Sequence, residues 1–182
     1  VGDKSSGKTF LACEIIARSK HEHKNNLQHN YDDGENGFTF DTKQLYGIDI
    51  CPKDSFRSHQ IEDFDSNTKK FLKKMKAGNV GIYVLDSLDG LSNKEIEERG
   101  EKRFKAAQKG EQFDEGTYGM KTPKFLSQEF FRTNTRELMD KKTTLIIISQ
   151  VRENINPFSF KKLTRSGGKA LDFYAHTSLW LA

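Results

Sequence analysis

The strongest chemical signal is a run of eight residues, Gly2-Asp3-Lys4-Ser5-Ser6-Gly7-Lys8-Thr9. It fits the spacing G-x-x-x-x-G-K-[ST], in which backbone N–H groups and a helix N-terminus wrap an anion. Gly2 and Gly7 allow the close wrap. Lys8 reaches the β- and γ-phosphates of a nucleotide, and Thr9 offers a hydroxyl to Mg²⁺. Such a site needs a partner carboxylate at the end of an apolar strand, facing the metal. Asp86, which ends Ile82-Tyr83-Val84-Leu85, fits that place, and Asp89 reads as part of the turn beyond. Hydrolysis also needs a group that orients or activates water. Glu35 lies just past a strand end in Tyr31-Asp32-Asp33-Gly34-Glu35, one acid among three. On residue types alone, a simple turn acid explains it equally well.

Positioning these groups requires alternating helices and strands. Thr9 to about Lys20 reads as a helix with Leu11, Ile15 and Ile16 on one apolar face. Leu27 to Asp33 reads as a short strand and Gly34 to Gly37 as a turn. Ile61 to Ala77 carries Ile61, Phe64, Phe71, Leu72 and Met75 near helical spacing, with Gly78 placed to cap its end. Phe125 to Met139 reads as a helix, and Thr143 to Ser149 as a buried, β-branched strand. The pattern predicts an α/β fold: a mostly parallel twisted sheet with helices on both faces. A phosphate loop normally follows a buried strand, yet only Val1 precedes this one. The expectation is therefore a fragment with its first strand truncated, and Ser178 to Ala182 reads as another strand cut short. The whole of 1–182 is read as one ATPase core. It carries a mobile insertion at about 92–124, with eight basic and seven acidic residues and a charged helix near Glu95 to Ala107.

Composition narrows the function classes. The 182 residues are 34% hydrophobic and 31% charged, with mean hydropathy −0.78. Fourteen Phe, five Tyr and one Trp supply enough bulky surface for a core, which argues against pure disorder. The longest aliphatic run, Leu145 to Ile148, is far short of the roughly 18 residues of a membrane helix. Two cysteines, Cys13 and Cys51, cannot build a disulfide framework and point to a reducing compartment. A cytoplasmic protein with no membrane partner is expected. The net charge of +4 and a pI near 8.9 favour a polyanionic partner no more than ordinary solubility. His21-Glu22-His23 reads as surface rather than a metal pair.

The later motifs resemble a family. Leu145-Ile146-Ile147-Ile148-Ser149-Gln150-Val151-Arg152, then Ser166-Gly167-Gly168-Lys169-Ala170-Leu171-Asp172-Phe173-Tyr174-Ala175, is similar to the bacterial RecA recombinases. Their pattern is a buried strand, Asn-Gln-Ile-Arg, a DNA-binding loop, then Gly-Gly-Asn-Ala-Leu-Lys-Phe-Tyr-Ala. Asp33-Gly34-Glu35 resembles the family's Asp-Ala-Glu, and Gly47-Ile48-Asp49 its Gly-Val-Asp. Asp86-Ser87-Leu88-Asp89-Gly90-Leu91 resembles Asp-Ser-Val-Ala-Ala-Leu. The departures are Ser149 and Lys169 in place of Asn, and Thr39 and Thr42 where Asp and Tyr usually lie near the adenine. They imply a divergent, phage-encoded relative. The resemblance implies a RecA-like fold, ATP and Mg²⁺, Glu35 as the base that activates water, and Gln150 as the sensor of the γ-phosphate. It also implies DNA contacts from Arg152, Ile155 and the stretch around Ser159.

The loop from Arg152 to Lys169 makes part of that case by itself. It sets Arg152, Lys161, Lys162, Arg165 and Lys169 against one acid, Glu153, and interleaves Phe158 and Phe160. Cations neutralise phosphates and aromatics stack on bases, although two Phe in satellite core is an even reading. With Gly167 and Gly168 ending it, the loop is expected to bind single-stranded DNA. The expectation is an ATP-driven recombination or repair ATPase, with ATP at the protomer interface of a filament. A ring-forming helicase or KaiC-like ATPase, and a non-hydrolysing ATP-gated scaffold, are the alternatives.

Overall fold

A computed structural model describes residues 1–110, 121–153 and 163–181. Its centre is a three-stranded parallel sheet in the order β1 (Leu27–Asp33), β2 (Val80–Asp86), β3 (Thr143–Ile147). Leu27 pairs with Val80 and Asp33 with Asp86, so β1 and β2 end level. Alternation along the strands sends side chains to opposite faces. Tyr31, Ile82 and Val84 meet one apolar cluster with Ala12, Cys13 and Ile16 of α1 (Lys8–His23). Tyr83 and Leu85 meet the other, built by α3 (Ile61–Lys74), α6 (Phe131–Asp140) and α7 (Gly168–Tyr174). The predicted layering, helices on both faces of a parallel sheet, is what forms. No helix among the described residues is long and apolar enough to cross a membrane.

Several boundaries differ from expectation for identifiable reasons. The buried stripe of α1 is Ala12, Cys13 and Ile16, rather than Leu11, Ile15 and Ile16. Leu11 and Ile15 instead line an apolar groove of about 550 Å³ along β3, with Leu145 and Leu179. For the same reason β3 is only half-buried, and it ends at Ile147. Beyond it, Gly2 forms single parallel bridges to Gln150 on one side and Leu181 on the other. The strand expected over Ser178 to Ala182 does not form: Ser178, Leu179 and Trp180 are irregular, and that single bridge at Leu181 is all the pairing the described residues show there. Helix α3 stops at Lys74 rather than Ala77, because the chain turns extended to bury Met75. The Lys76 N–H then donates to Gln28 Oε1 at 2.7 Å, and Gly78 shapes the following turn.

The expected helix over Phe125 to Met139 is three pieces: α5 (Lys121–Phe125), a wide π turn at Leu126–Phe130, and α6. The extra winding lets two successive aromatics both pack inward. Phe130 stacks on Phe64 at 4.4 Å and Phe131 on Tyr174 at 4.6 Å. Between residues 92 and 110 the chain forms α4 (Lys94–Lys109). Asn93 caps it, its Oδ1 accepting from Ile96 N at 2.9 Å, and none of its residues is buried. Residues 111–120 of the expected insertion lie outside the described residues. The short α2 (Thr42–Tyr46) is anchored by Thr42, a buried hydroxyl that accepts the Ile50 N–H at 3.1 Å.

Candidate functional site

The phosphate-loop motif wraps the start of α1. Gly7 takes φ 84°, a left-handed conformation that side-chain-bearing residues rarely adopt, and α1 begins at the next residue. The first amides of a helix have no partner inside it, so they face the loop. The Lys8 ammonium is folded into the loop, donating to Gly2 O at 3.0 Å and to Asp3 O. The Ser6 N–H donates to Asp3 O at 3.3 Å, and Lys4 N to Asp3 Oδ1 at 2.7 Å. Ser5, at φ 63°, completes the bend.

Thr9 and Asp86 meet, the hydroxyl donating to Asp86 Oδ2 at 2.6 Å. A residue the sequence did not single out joins them: the buried Tyr31 phenol donates to the same Oδ2 at 2.6 Å. Burial raises the Asp86 carboxyl above its ordinary range, while the Thr9 and Tyr31 hydroxyls pull it back down. A hydroxyl and a carboxylate sharing one corner are hard oxygen donors of the kind Mg²⁺ takes. Just behind, Cys13 is buried and its thiol is pushed up to about 12, mainly by burial.

The three acids at the end of β1 have separate fates. Asp32 is sealed, accepting from Ser58 N at 2.7 Å, from the Ser58 hydroxyl, and from Tyr83 OH at 2.7 Å. Burial raises it as well. Asp33 shapes the following turn, accepting from Gly37 N at 3.0 Å and Phe38 N at 3.1 Å and pairing with Arg57 at 3.2 Å. Glu35 alone of the three is exposed and reaches across to the site. It accepts from the Ser87 hydroxyl, next to Asp86, and from Gln150 Nε2 at 3.2 Å.

Gln150 follows β3 and leads into β4 (Val151–Glu153), which pairs antiparallel with β5 (Leu163–Arg165). The expected loop is therefore a two-stranded stem at its ends. Ile155, Phe158, Phe160, Lys161 and Lys162 lie outside the described residues, as does the side chain of Arg152. The Arg165 guanidinium is paired with Asp172 of α7. Gly168 and Lys169 are the first residues of α7 rather than the end of a loop, and both are exposed. The reason is Gly167, which caps the helix at φ 85° so that α7 starts at the next residue. A side chain there would strike Leu88 and Leu171. His21, Glu22 and His23 are exposed, and the described residues contain no metal-binding cluster of three.

Tyr31 and Ser87 were missed because their roles exist only once β1 and β2 lie side by side. One signal was available: Tyr31 and Asp33 share a strand face by their spacing of two.

A family model for the RecA N-terminal domain matches residues 1–181. Among similar proteins, the Protein RecA of Bifidobacterium breve is 31% identical over 98% of this chain and 40% of its own length. The Protein RecA of Streptomyces ambofaciens is 30% identical over 98% of this chain and 42% of its own. That of Leifsonia xyli is 29% identical, with 44% of its length covered. The chain thus spans about two fifths of these relatives.

Proposed function

The chain belongs to the RecA N-terminal domain family, and from that premise we propose that it binds and hydrolyses ATP as the motor of a recombination filament on single-stranded DNA. One observation carries the reading: Thr9, Asp86, Ser87, Glu35 and Gln150 form an unbroken run of hydrogen-bonded or adjacent residues beside the phosphate loop. That is the set of groups phosphoryl transfer to water requires, a metal corner and a carboxylate for the water.

In this reading Gly2 to Thr9 cradle the phosphates with loop amides, and Lys8 exchanges its carbonyl partners for phosphate oxygens. Thr9 and Asp86 hold Mg²⁺, which when bound neutralises phosphate charge. Glu35 accepts the proton of the attacking water. Gln150, already on Glu35, turns toward the γ-phosphate and shifts the β4–β5 stem. The stem and the residues it leads to, together with Lys169 on α7, contact DNA phosphates and bases. ATP lies between protomers, and its hydrolysis releases the filament.

The test is nucleotide binding and turnover, with and without single-stranded DNA, in the unaltered protein and three variants, Lys8→Ala, Glu35→Gln and Asp33→Asn. Lys8→Ala loses nucleotide binding, since the loop loses its charged contact to phosphate. Glu35→Gln binds ATP but loses about 10²–10⁴-fold in turnover, the range for a general base. Nucleotide affinity unchanged in Lys8→Ala sinks the phosphate-loop reading. If Asp33→Asn abolishes turnover and Glu35→Gln does not, the base is misassigned. An unaltered protein that binds both ligands without hydrolysis is the ATP-gated scaffold instead.

A further inference from the structure

The turn after β2, Leu88–Gly90, lies between the Glu35 arm and the chain leaving β3. Leu88 N donates to Ile148 O at 2.9 Å, sewing the turn to the chain leaving β3. A side chain on Gly90 would lie 2.6 Å from Glu35 Cγ, so that backbone is pressed against the carboxylate arm. Between them, Asp89 uses both carboxylate oxygens. Oδ2 accepts the backbone N–H of Gln150 at 2.7 Å, and Oδ1 accepts the hydroxyl of Ser166. Gln150 enters the β4–β5 stem and Ser166 leaves it, so this one carboxylate holds both ends of the stem. Its own segment begins at the metal-side Asp86.

We infer that Asp89 is a positioning residue that couples the nucleotide site to the β4–β5 stem. This rests on the ATP and DNA reading above. Three observations support it. The RecA pattern this segment resembles has alanine at the corresponding place, a side chain that offers no such tie. A carboxylate accepting two hydrogen bonds in different directions fixes both donors more firmly than a neutral group. And the Gln150 amide it holds belongs to the same residue whose side chain lies on Glu35 at 3.2 Å. When Gln150 leaves Glu35, its backbone stays pinned to Asp89. The displacement is then passed to Ser166 and the start of α7 rather than lost in the chain.

The experiment measures, in the full protein, how strongly a non-hydrolysable ATP analogue and a fluorescent thymidine oligonucleotide strengthen each other's binding. It also measures amide hydrogen exchange at Gln150 without ligands. The unaltered protein couples the two probes by a factor in the usual range of roughly 5–150. Asp89→Ala brings that factor to about one and speeds Gln150 exchange by roughly tenfold, as expected for one lost hydrogen bond. Asp89→Asn, whose carbonyl still accepts the Gln150 N–H, restores most of the coupling. Ser166→Ala lowers it partway, and adding that change to Asp89→Ala does nothing more.

Equal coupling in Asp89→Ala and the unaltered protein overturns the inference while leaving the functional reading standing. Unchanged exchange at Gln150 in that variant overturns it too. An unaltered protein that binds neither probe overturns the functional reading, and this inference with it.

Discussion

Two tyrosine–aspartate pairs cross the β1–β2 boundary in opposite directions. On one face Tyr31 of β1 donates to Asp86 of β2, and on the other Tyr83 of β2 donates to Asp32 of β1. Both phenols and both carboxyls are raised above their ordinary ranges, in each case chiefly by burial. The difference lies in the remaining partners. Asp32 spends its other bonds on Ser58, whose segment it staples to the sheet, and Asn67 donates to the same hydroxyl at 3.1 Å. Asp86 spends its other bond on Thr9, at the mouth of the phosphate loop, and stays partly open. The same local chemistry therefore yields a structural staple where the walls close, and a ligand-facing carboxylate where a glycine loop keeps them apart.

That contrast breaks most visibly if the carboxylates are exchanged for neutral groups. Asp86→Asn should lower Mg²⁺-dependent turnover by roughly 10³-fold, reflecting the several kcal/mol a bound metal contributes to the transition state. Its unfolding midpoint in urea should hardly move. Asp32→Ala should do the reverse, losing about 1–3 kcal/mol for each buried donor it strands, with turnover per folded molecule near that of the unaltered protein. If the two substitutions have similar effects on stability and turnover, the division between staple and site is false.

The phenols sharpen the point at smaller amplitude. Tyr83→Phe should cost about 1–3 kcal/mol in stability, because a sealed carboxylate loses a donor. Tyr31→Phe should cost about 0.5–1.5 kcal/mol and raise the Mg²⁺ concentration needed for half-maximal turnover. A Mg²⁺ titration that shifts equally in both variants removes Tyr31 from the site.

The smallest effect lies on β1 itself. Burial lowers His29 below its ordinary value of 6.5. The unfolded chain then takes up a proton before the folded one does. Stability is full above 6.5 and is lost as the pH falls from there toward the folded value. The slope for a single group stays below about 1.4 kcal/mol per pH unit. His29→Leu should flatten the stability curve in that window, as measured by urea unfolding at a series of pH values.

Much of this was legible in the residues, for physical reasons. The phosphate loop depends on local spacing alone, so Gly7, Lys8 and Thr9 stand out in any context. Asp86 could be placed because an apolar run must be buried and its first polar residue must emerge. The layering followed from alternating periodicities. The crossed tyrosine pairs were hidden, since they depend on the register of strands some fifty residues apart in sequence, as Tyr31 and Asp86 are. Asp89 was visible only as a turn acid, because its partners are a distant backbone amide and a distant hydroxyl. The half-burial of β3 escaped too: β-branched residues promise a strand, but only neighbouring strands decide whether it is covered. The break at Leu126–Phe130 depended on two adjacent phenylalanines both finding partners, which helical periodicity does not anticipate.

The buried thiol behind the metal corner has a practical meaning. A group held mostly as thiol, with no path to solvent, reacts with an alkylating reagent only when α1 lifts from the sheet. Cys51, half-buried on the loop side, is raised less, to about 11. The chain therefore carries two built-in clocks of different depth. The faster reads loop breathing, and the slower reads the opening of the nucleotide corner, with no cysteine introduced into the molecule.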